Sequence, residues 1–167
     1  MRDIRLKILD RSVIRKVLGE EKKNGKRVVF TNGCFDILHI GHVRYLREAK
    51  KLGDLLVVGI NSDDSVKKIK GEKRPLVPQD QRAEILASLR SVDYVVVFEE
   101  EEPGNVIKEV DPHVLVKGGD WKPDEIVGRD FVESRGGQVV LIDPVPGVST
   151  TRIIKLICDR FCNGKSG

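Results

Sequence analysis

Short apolar runs alternate with amphipathic stretches along the chain. Arg27-Val28-Val29-Phe30-Thr31 follows Gly25 and reads as a buried strand. Leu55 to Ile60 is continuously apolar, the pattern of a sheet covered on both faces. Residues 93–98, 113–116 and 138–142 repeat that pattern and predict three more strands. Helical spacing fills the intervals. Val43, Leu46 and Ala49 mark a helix over 41–52, which Gly53 stops. Ile85, Leu86 and Leu89 mark another over 78–90. A short helix over 105–110 ends at Asp111-Pro112, and 122–135 holds one or two turns. The last helix, 149–160, has Ser149 or Thr150 as a natural N-cap. Ahead of the first strand, Ile14, Val17 and Leu18 give 10–24 one apolar face. Asn61 to Asp64 reads as a turn, and 67–74 as a basic loop.

Strands that each precede a helix predict an α/β fold: one open, parallel, five-stranded sheet with helices on both faces. The predicted organisation is a helical extension over 1–25, one domain over 26–162 and a frayed tail over 163–167. In such sheets ligands bind beyond the carboxyl ends of the strands. That singles out residues 31–42, 61–74, 117–121 and 143–151.

Charge narrows the partners. The net charge is +4 and the pI is about 9.0. Residues 1–28 carry ten basic and four acidic side chains, so the remainder is slightly acidic. The body is not a basic slab, and no nucleic-acid partner is expected. No apolar run is long enough for a membrane span, and the N-terminus lacks the apolar core of a signal peptide. Three cysteines, Cys34, Cys158 and Cys162, form no even framework, which points to a reducing, cytoplasmic setting.

The densest chemistry lies between the first strand and its helix, at Thr31-Asn32-Gly33-Cys34-Phe35-Asp36-Ile37-Leu38-His39-Ile40-Gly41-His42. It matches neither the G-x-G-x-x-G fingerprint nor the Walker phosphate loop. Two imidazoles three residues apart stand at a helix start, where free N–H groups favour an anion. Gly41 leaves room for something to approach the backbone. Two other readings stay open here: histidines that merely serve the helix entry, and a metal held by Cys34, Asp36, His39 and His42. The segment 67–74 holds five positive charges and one negative, either solvated surface or a phosphate-binding loop hinged at Gly71. Arg82 could reach a phosphate or lie on the helix surface. Lys117-Gly118-Gly119-Asp120-Trp121 is either a plain turn or a backbone edge that reads a base. Ser149-Thr150-Thr151 is either a plain N-cap or a second helix N-terminal phosphate site. His113, at a strand start, reads as structural.

These segments together resemble the H-x-G-H nucleotidyltransferases, a cytidylyltransferase-like superfamily with a Rossmann-like sheet. The bare motif also marks class I aminoacyl-tRNA synthetases, but their K-M-S-K-S-type loop is absent. Val28 to Asp36, Asn61-Ser62-Asp63, Arg74-Pro75, Val116 to Asp120 and Ser149-Thr150-Thr151 occur in order. The set is most similar to the adenylyltransferase domain of ADP-heptose synthase, over about residues 25–155. The resemblance implies transfer of AMP from ATP to D-glycero-β-D-manno-heptose 1-phosphate with release of pyrophosphate. It implies catalytic roles for His39, His42, Lys68 and Lys70. Nucleotide contacts are implied for Thr31, Asn32, Gly33, Phe35, Asp36, Gly41, Arg82, Lys117, Gly118, Gly119, Asp120, Ser149, Thr150 and Thr151. Trp121 would cover the sugar pocket. Mg²⁺ would ride on the ATP phosphates, with no metal site built from protein side chains. The resemblance further implies a homodimer, and a separate sugar kinase, since none fits in 167 residues. A CTP-using enzyme acting on glycerol 3-phosphate or another alcohol phosphate, and a non-catalytic nucleotide-binding module, are the alternatives.

Overall fold

The computed structural model describes residues 3–119, 122 and 125–162. Six parallel strands form one sheet: β1 (Ile8–Leu9), β2 (Val28–Gly33), β3 (Leu55–Asn61), β4 (Tyr94–Phe98), β5 (Val114–Gly118) and β6 (Gln138–Ile142). Their spatial order is β1-β4-β3-β2-β5-β6. The expected five strands are present as β2 to β6. The sixth corrects the count: Ile8 and Leu9 pair with Val95 and Val96 at the sheet edge. Two residues are too few to show a period, which is why the pattern hid them.

The helices are α1 (Arg11–Lys23), α2 (Ile40–Lys50), α3 (Asp63–Lys70), α4 (Gln79–Ala87), α5 (Gly104–Val110), α6 (Arg129–Ser134) and α7 (Thr150–Phe161). The segment expected as a turn and a basic loop is largely a helix, α3. Ser62 caps it by accepting from Ser65 N–H at 3.2 Å. Asp63 and Asp64 sit in its first turn and Lys67, Lys68 and Lys70 in its last, so both ends oppose the helix dipole. Its polar composition conceals the helix because only one flank, at Ser65 and Val66, is buried.

The two sheet faces carry separate cores. On one, Leu46 and Ala49 of α2 and Ala83, Leu86 and Ala87 of α4 cover Val29, Leu56, Val58, Ile60 and Val116. On the other, Ile14 and Leu18 of α1, Val106, Ile107 and Val110 of α5 and Val132 of α6 cover Val28, Phe30, Val57 and Leu115. Burial on both faces accounts for the uninterrupted apolar strands. The stretch before residue 25 thus contributes both an edge strand and two fully buried side chains. Arg11 adds charged bonds from its guanidinium to Glu100 and Glu109, each at 2.7 Å. His113 Nδ1 accepts Val28 N–H at 3.0 Å, a structural task. Among the described residues no helix is long and apolar enough to cross a membrane.

From β2 the chain moves outward through β3 to β4, then returns past β2 to β5 and β6. Connections after β2 and β5 therefore leave in opposite directions. They open a crevice beyond the carboxyl ends of the strands, where ligands of such sheets bind.

Candidate active site

The crevice is a cavity of about 550 Å³. Asn32, Gly33, Cys34, Phe35 and Asp36 line it after β2, Asn61 after β3, and Lys117 and Gly118 on β5. His42 of α2 and Thr150 and Thr151 of α7 bring two helix N-termini to it. Ile69 and Lys70 at the end of α3, with Arg74, form another wall.

His39 is the N-cap of α2 and His42 its third residue. Their rings stack with centroids 3.8 Å apart at 21°. His39 N–H donates to His42 Nδ1 at 3.4 Å, so the neutral His42 ring carries its proton on Nε2. Burial, then the neighbouring His39, pushes His42 down to about 4, and burial lowers His39 as well. Both rings are therefore neutral donors at pH 7 rather than imidazolium ions. His42 lines the cavity, while His39 stacks behind it with Nδ1 buried and unpartnered among the described residues. Gly41 is required for this: a Cβ there would lie 2.9 Å from His39 Nδ1. Phe35 has φ of 46°, an uncommon left-handed conformation for a bulky residue, and its ring lies 5.2 Å from that of His42.

The basic residues separate by helix geometry. A helix turns about 100° per residue, so Lys68 and Lys70 project about 200° apart. Lys70 lines the cavity, and Lys68 is not among its lining residues. Lys70, Arg82 and Arg74 all act on the Cys34 thiol, although burial dominates and pushes that thiol up. Lys117 is nearly buried and donates to Asn32 Oδ1. Burial lowers it to about 8.

Three residues expected at the nucleotide have side-chain partners within the protein. Thr31 is fully buried, its Oγ1 2.7 Å from the Tyr45 hydroxyl. Arg82, with a side chain 0% exposed, donates to Val77 O, Cys34 O and Asp63 Oδ1 at 2.9, 2.6 and 2.7 Å. It ties α3 and the segment before α4 to the loop after β2. Asp36 reaches the cavity wall, but its carboxylate accepts from Arg74 Nε and from Leu76 and Val77 N–H. Burial works to raise that carboxyl, and the Leu76 and Val77 N–H groups and Arg74 outweigh it and hold it below the usual range. A polar residue after a strand signals proximity to the site, not the direction of its polar atoms.

The remaining expected residues divide between cavity and frame. Ser149 caps α7 by accepting Arg152 N–H at 3.1 Å, and Thr150 Oγ1 donates to Ile37 O at 3.3 Å. Gly119 fits against Asp143, whose Oδ1 would lie 2.5 Å from a Cβ. Asp120 and Trp121 lie outside the described residues. Among the described residues no group of three or more His, Cys, Asp or Glu is placed to hold a metal ion. Glu101, Glu102 and Pro103 line the cavity after β4, and Glu125 and Val127 after β5. Their signal was available, because 99–103 also follows a strand, but an acidic run after a strand carries no motif.

Comparison with known proteins agrees with this geometry. A family model described as cytidylyltransferase-like matches residues 30–156. The bifunctional protein HldE of Geobacter sulfurreducens is 57% identical over 159 residues, which are 95% of this chain and 32% of that protein. HldE of Pelobacter propionicus is 55% identical over 155 residues, 93% of this chain and 32% of that protein. The chain thus spans about a third of the length of these relatives. The crystal structure of the lipopolysaccharide core biosynthesis protein from Thermoplasma volcanium superposes with a TM-score of 0.60 at 33% identity. That match covers 72% of this chain and 98% of the other. Pantoate-β-alanine ligase from Francisella tularensis, 15% identical with a TM-score of 0.56, shares the fold. With the family model spanning β2 to α7 and the paired histidines standing where those strands open, the chain belongs to the cytidylyltransferase-like family.

Proposed function

We propose that this protein is an adenylyltransferase that joins ATP to D-glycero-β-D-manno-heptose 1-phosphate, forming ADP-heptose and pyrophosphate for lipopolysaccharide core synthesis. The observation that carries the reading is the stacked pair His39/His42 at the start of α2, with His42 opening into a cavity that Lys70 and Lys117 also line. An oxygen of the sugar phosphate attacks the α-phosphorus of ATP. The bond from that phosphorus to the bridging oxygen of the β-phosphate breaks, and pyrophosphate leaves. The attacking oxygen is already anionic, so no strong base is needed, and catalysis rests on alignment and charge stabilisation. That suits neutral imidazoles. His42 donates from Nε2 to an α-phosphate oxygen, and His39 backs that ring and serves the β-phosphate. Lys70 meets the phosphate chain. Lys117, Gly118, Thr150 and Thr151 form the nucleotide end. Magnesium enters as part of the ATP substrate, held mostly by phosphate and water.

The same proposal sets the reaction in the cytoplasm, with a sugar kinase activity supplying the acceptor. Two copies pair, a reading supported by the exposed Leu156, Ile157 and Phe161 of α7. Pyrophosphate release from ATP and CTP against heptose 1-phosphate and glycerol 3-phosphate tests the assignment. ATP with heptose 1-phosphate should be the fastest pair. CTP with glycerol 3-phosphate as the fastest pair would replace it. Nucleotide binding without release from any pair would leave a non-catalytic module.

A further inference from the structure

Arg74 stands between α3 and α4 and carries none of the roles considered so far. Its Nε donates to Asp36, and its side chain is 18% exposed. Its two terminal nitrogens make no hydrogen bond to any described residue, and Arg74 lines the cavity beside Lys70 and His42. A guanidinium gripped at Nε keeps N–H donors on its far edge, spaced for two oxygens of one phosphate.

An arginine there could serve only to neutralise Asp36. The bonds at Asp36 argue otherwise. The carboxylate also accepts from Leu76 N–H at 2.8 and 3.0 Å and from Val77 N–H at 2.8 Å. It is satisfied by backbone in addition to Arg74. Arg82 fixes the same backbone at Val77 O and joins it to Cys34 O. Asp36 is thus a joint that fixes a charged fork at the cavity wall, and the Arg74 charge is only partly offset.

Position selects between the acceptor phosphate and the phosphates of ATP. Lys117, Gly118, Thr150 and Thr151 approach from β5 and α7. Arg74 approaches from the opposite wall, with Ile69 and Lys70, on the side of β3. In-line transfer needs the attacking oxygen and the leaving pyrophosphate on opposing sides of the α-phosphorus, and the helix N-terminus at Thr150 and Thr151 suits the pyrophosphate. We propose that Arg74 binds the phosphate of the acceptor through its terminal guanidinium nitrogens, and that Asp36 is the positioning residue that aims it. The assignment of the acceptor rests on the adenylyltransferase reading; phosphate recognition by Arg74 does not.

Arg74→Gln, Arg74→Lys and Asp36→Asn test this in the full chain. For Arg74→Gln, KM for heptose 1-phosphate should rise at least about tenfold while KM for ATP stays within about twofold. Arg74→Lys keeps an ion pair with Asp36 and should still lose most of that affinity, because a point charge cannot replace the fork. Asp36→Asn should raise the same KM, and the double variant Asp36→Asn/Arg74→Gln should be no worse than Arg74→Gln, the coupling expected of two residues acting as one. A rise in KM for ATP instead would overturn the acceptor assignment and move the fork to the nucleotide. Unchanged KM for both substrates, with native melting temperature, would overturn the phosphate role. Calorimetric titration with inorganic phosphate and with ATP needs no turnover, so it separates a failed Arg74 role from a failed adenylyltransferase assignment. Native phosphate affinity in folded Arg74→Lys would refute the Arg74 role.

Discussion

Gly41→Ala separates catalysis from stability at the histidine pair. Gly41 lies in the first turn of α2, so alanine suits its backbone and favours the helix by up to about 1 kcal/mol. The new Cβ, however, would stand 2.9 Å from His39 Nδ1 and 3.0 Å from Cε1. Ordinary contacts between such atoms are about 3.5 Å or more, so the ring must retreat by roughly 0.5 Å or more. It has little slack, because the His42 ring stacks on it at 3.8 Å between centroids. Displacement of a phosphate-facing group by a fraction of an ångström to 1 Å costs about 10- to 100-fold in turnover. The expected outcome is a kcat lower by about that factor, with a melting temperature equal to or above that of the parent. The assay is continuous pyrophosphate release at saturating substrates, paired with a thermal melt. Full kcat in a folded variant would refute the requirement for the stacked pair.

Lys70→Ala should raise KM for ATP about 10- to 100-fold, as expected for a lost charge-assisted bond, whereas Lys68→Ala should change it less than about twofold; equal effects would contradict the helical separation of the two. Arg82→Ala leaves Cys34 O, Val77 O and Asp63 without its three bonds and should cost about 3–5 kcal/mol, a fall of roughly 10 °C in melting temperature; a change under about 2 °C would deny its framework task. His42 titrates near 4 in the fold against 6.5 when free, so the unfolded chain binds more protons between those values. Stability is then fullest above about pH 6.5 and falls as the pH drops toward 4, with His39 and His113 acting in the same direction. The loss in melting temperature between about pH 7.5 and about pH 5 should shrink in His42→Asn, and an unchanged loss would refute the buried neutral ring. For the same reason kcat/KM for ATP should not rise on acidification from about pH 7.5 to about pH 6, the region where an exposed imidazole would gain charge.

The strands from Val28 onward were legible because both faces of the sheet are covered, which makes each strand a plain apolar run. The edge strand Ile8–Leu9 was not, since two residues have no period. Helix α3 was hidden for a related reason. It buries only a narrow flank, and its capping by Ser62 and dipole-matched charges reads as turn chemistry in a sequence. The helix also changes how the two lysines are arranged. In a loop Lys68 and Lys70 can both turn inward, but on a helix they project about 200° apart, and Lys70 is the one that lines the cavity. The histidine pair was recognisable because strand, glycine and helix start give it a definite place. Thr31, Asp36 and Arg82 show the other limit. Their proximity to the site follows from sequence position, but the partners that occupy their polar atoms come from Tyr45, Leu76, Val77 and Asp63, distant in the chain. The cavity wall at Glu101 and Glu102 was missed because carboxylates after a strand match no phosphate-binding pattern.

The most direct measurement is the product of the purified chain given magnesium-ATP and D-glycero-β-D-manno-heptose 1-phosphate, identified by mass spectrometry with the pyrophosphate counted alongside. The adenylyltransferase assignment requires ADP-heptose and pyrophosphate in equal amounts, with formation strongly reduced in His42→Ala. Absence of ADP-heptose from active, ATP-binding protein, or its undiminished formation by His42→Ala, would contradict it.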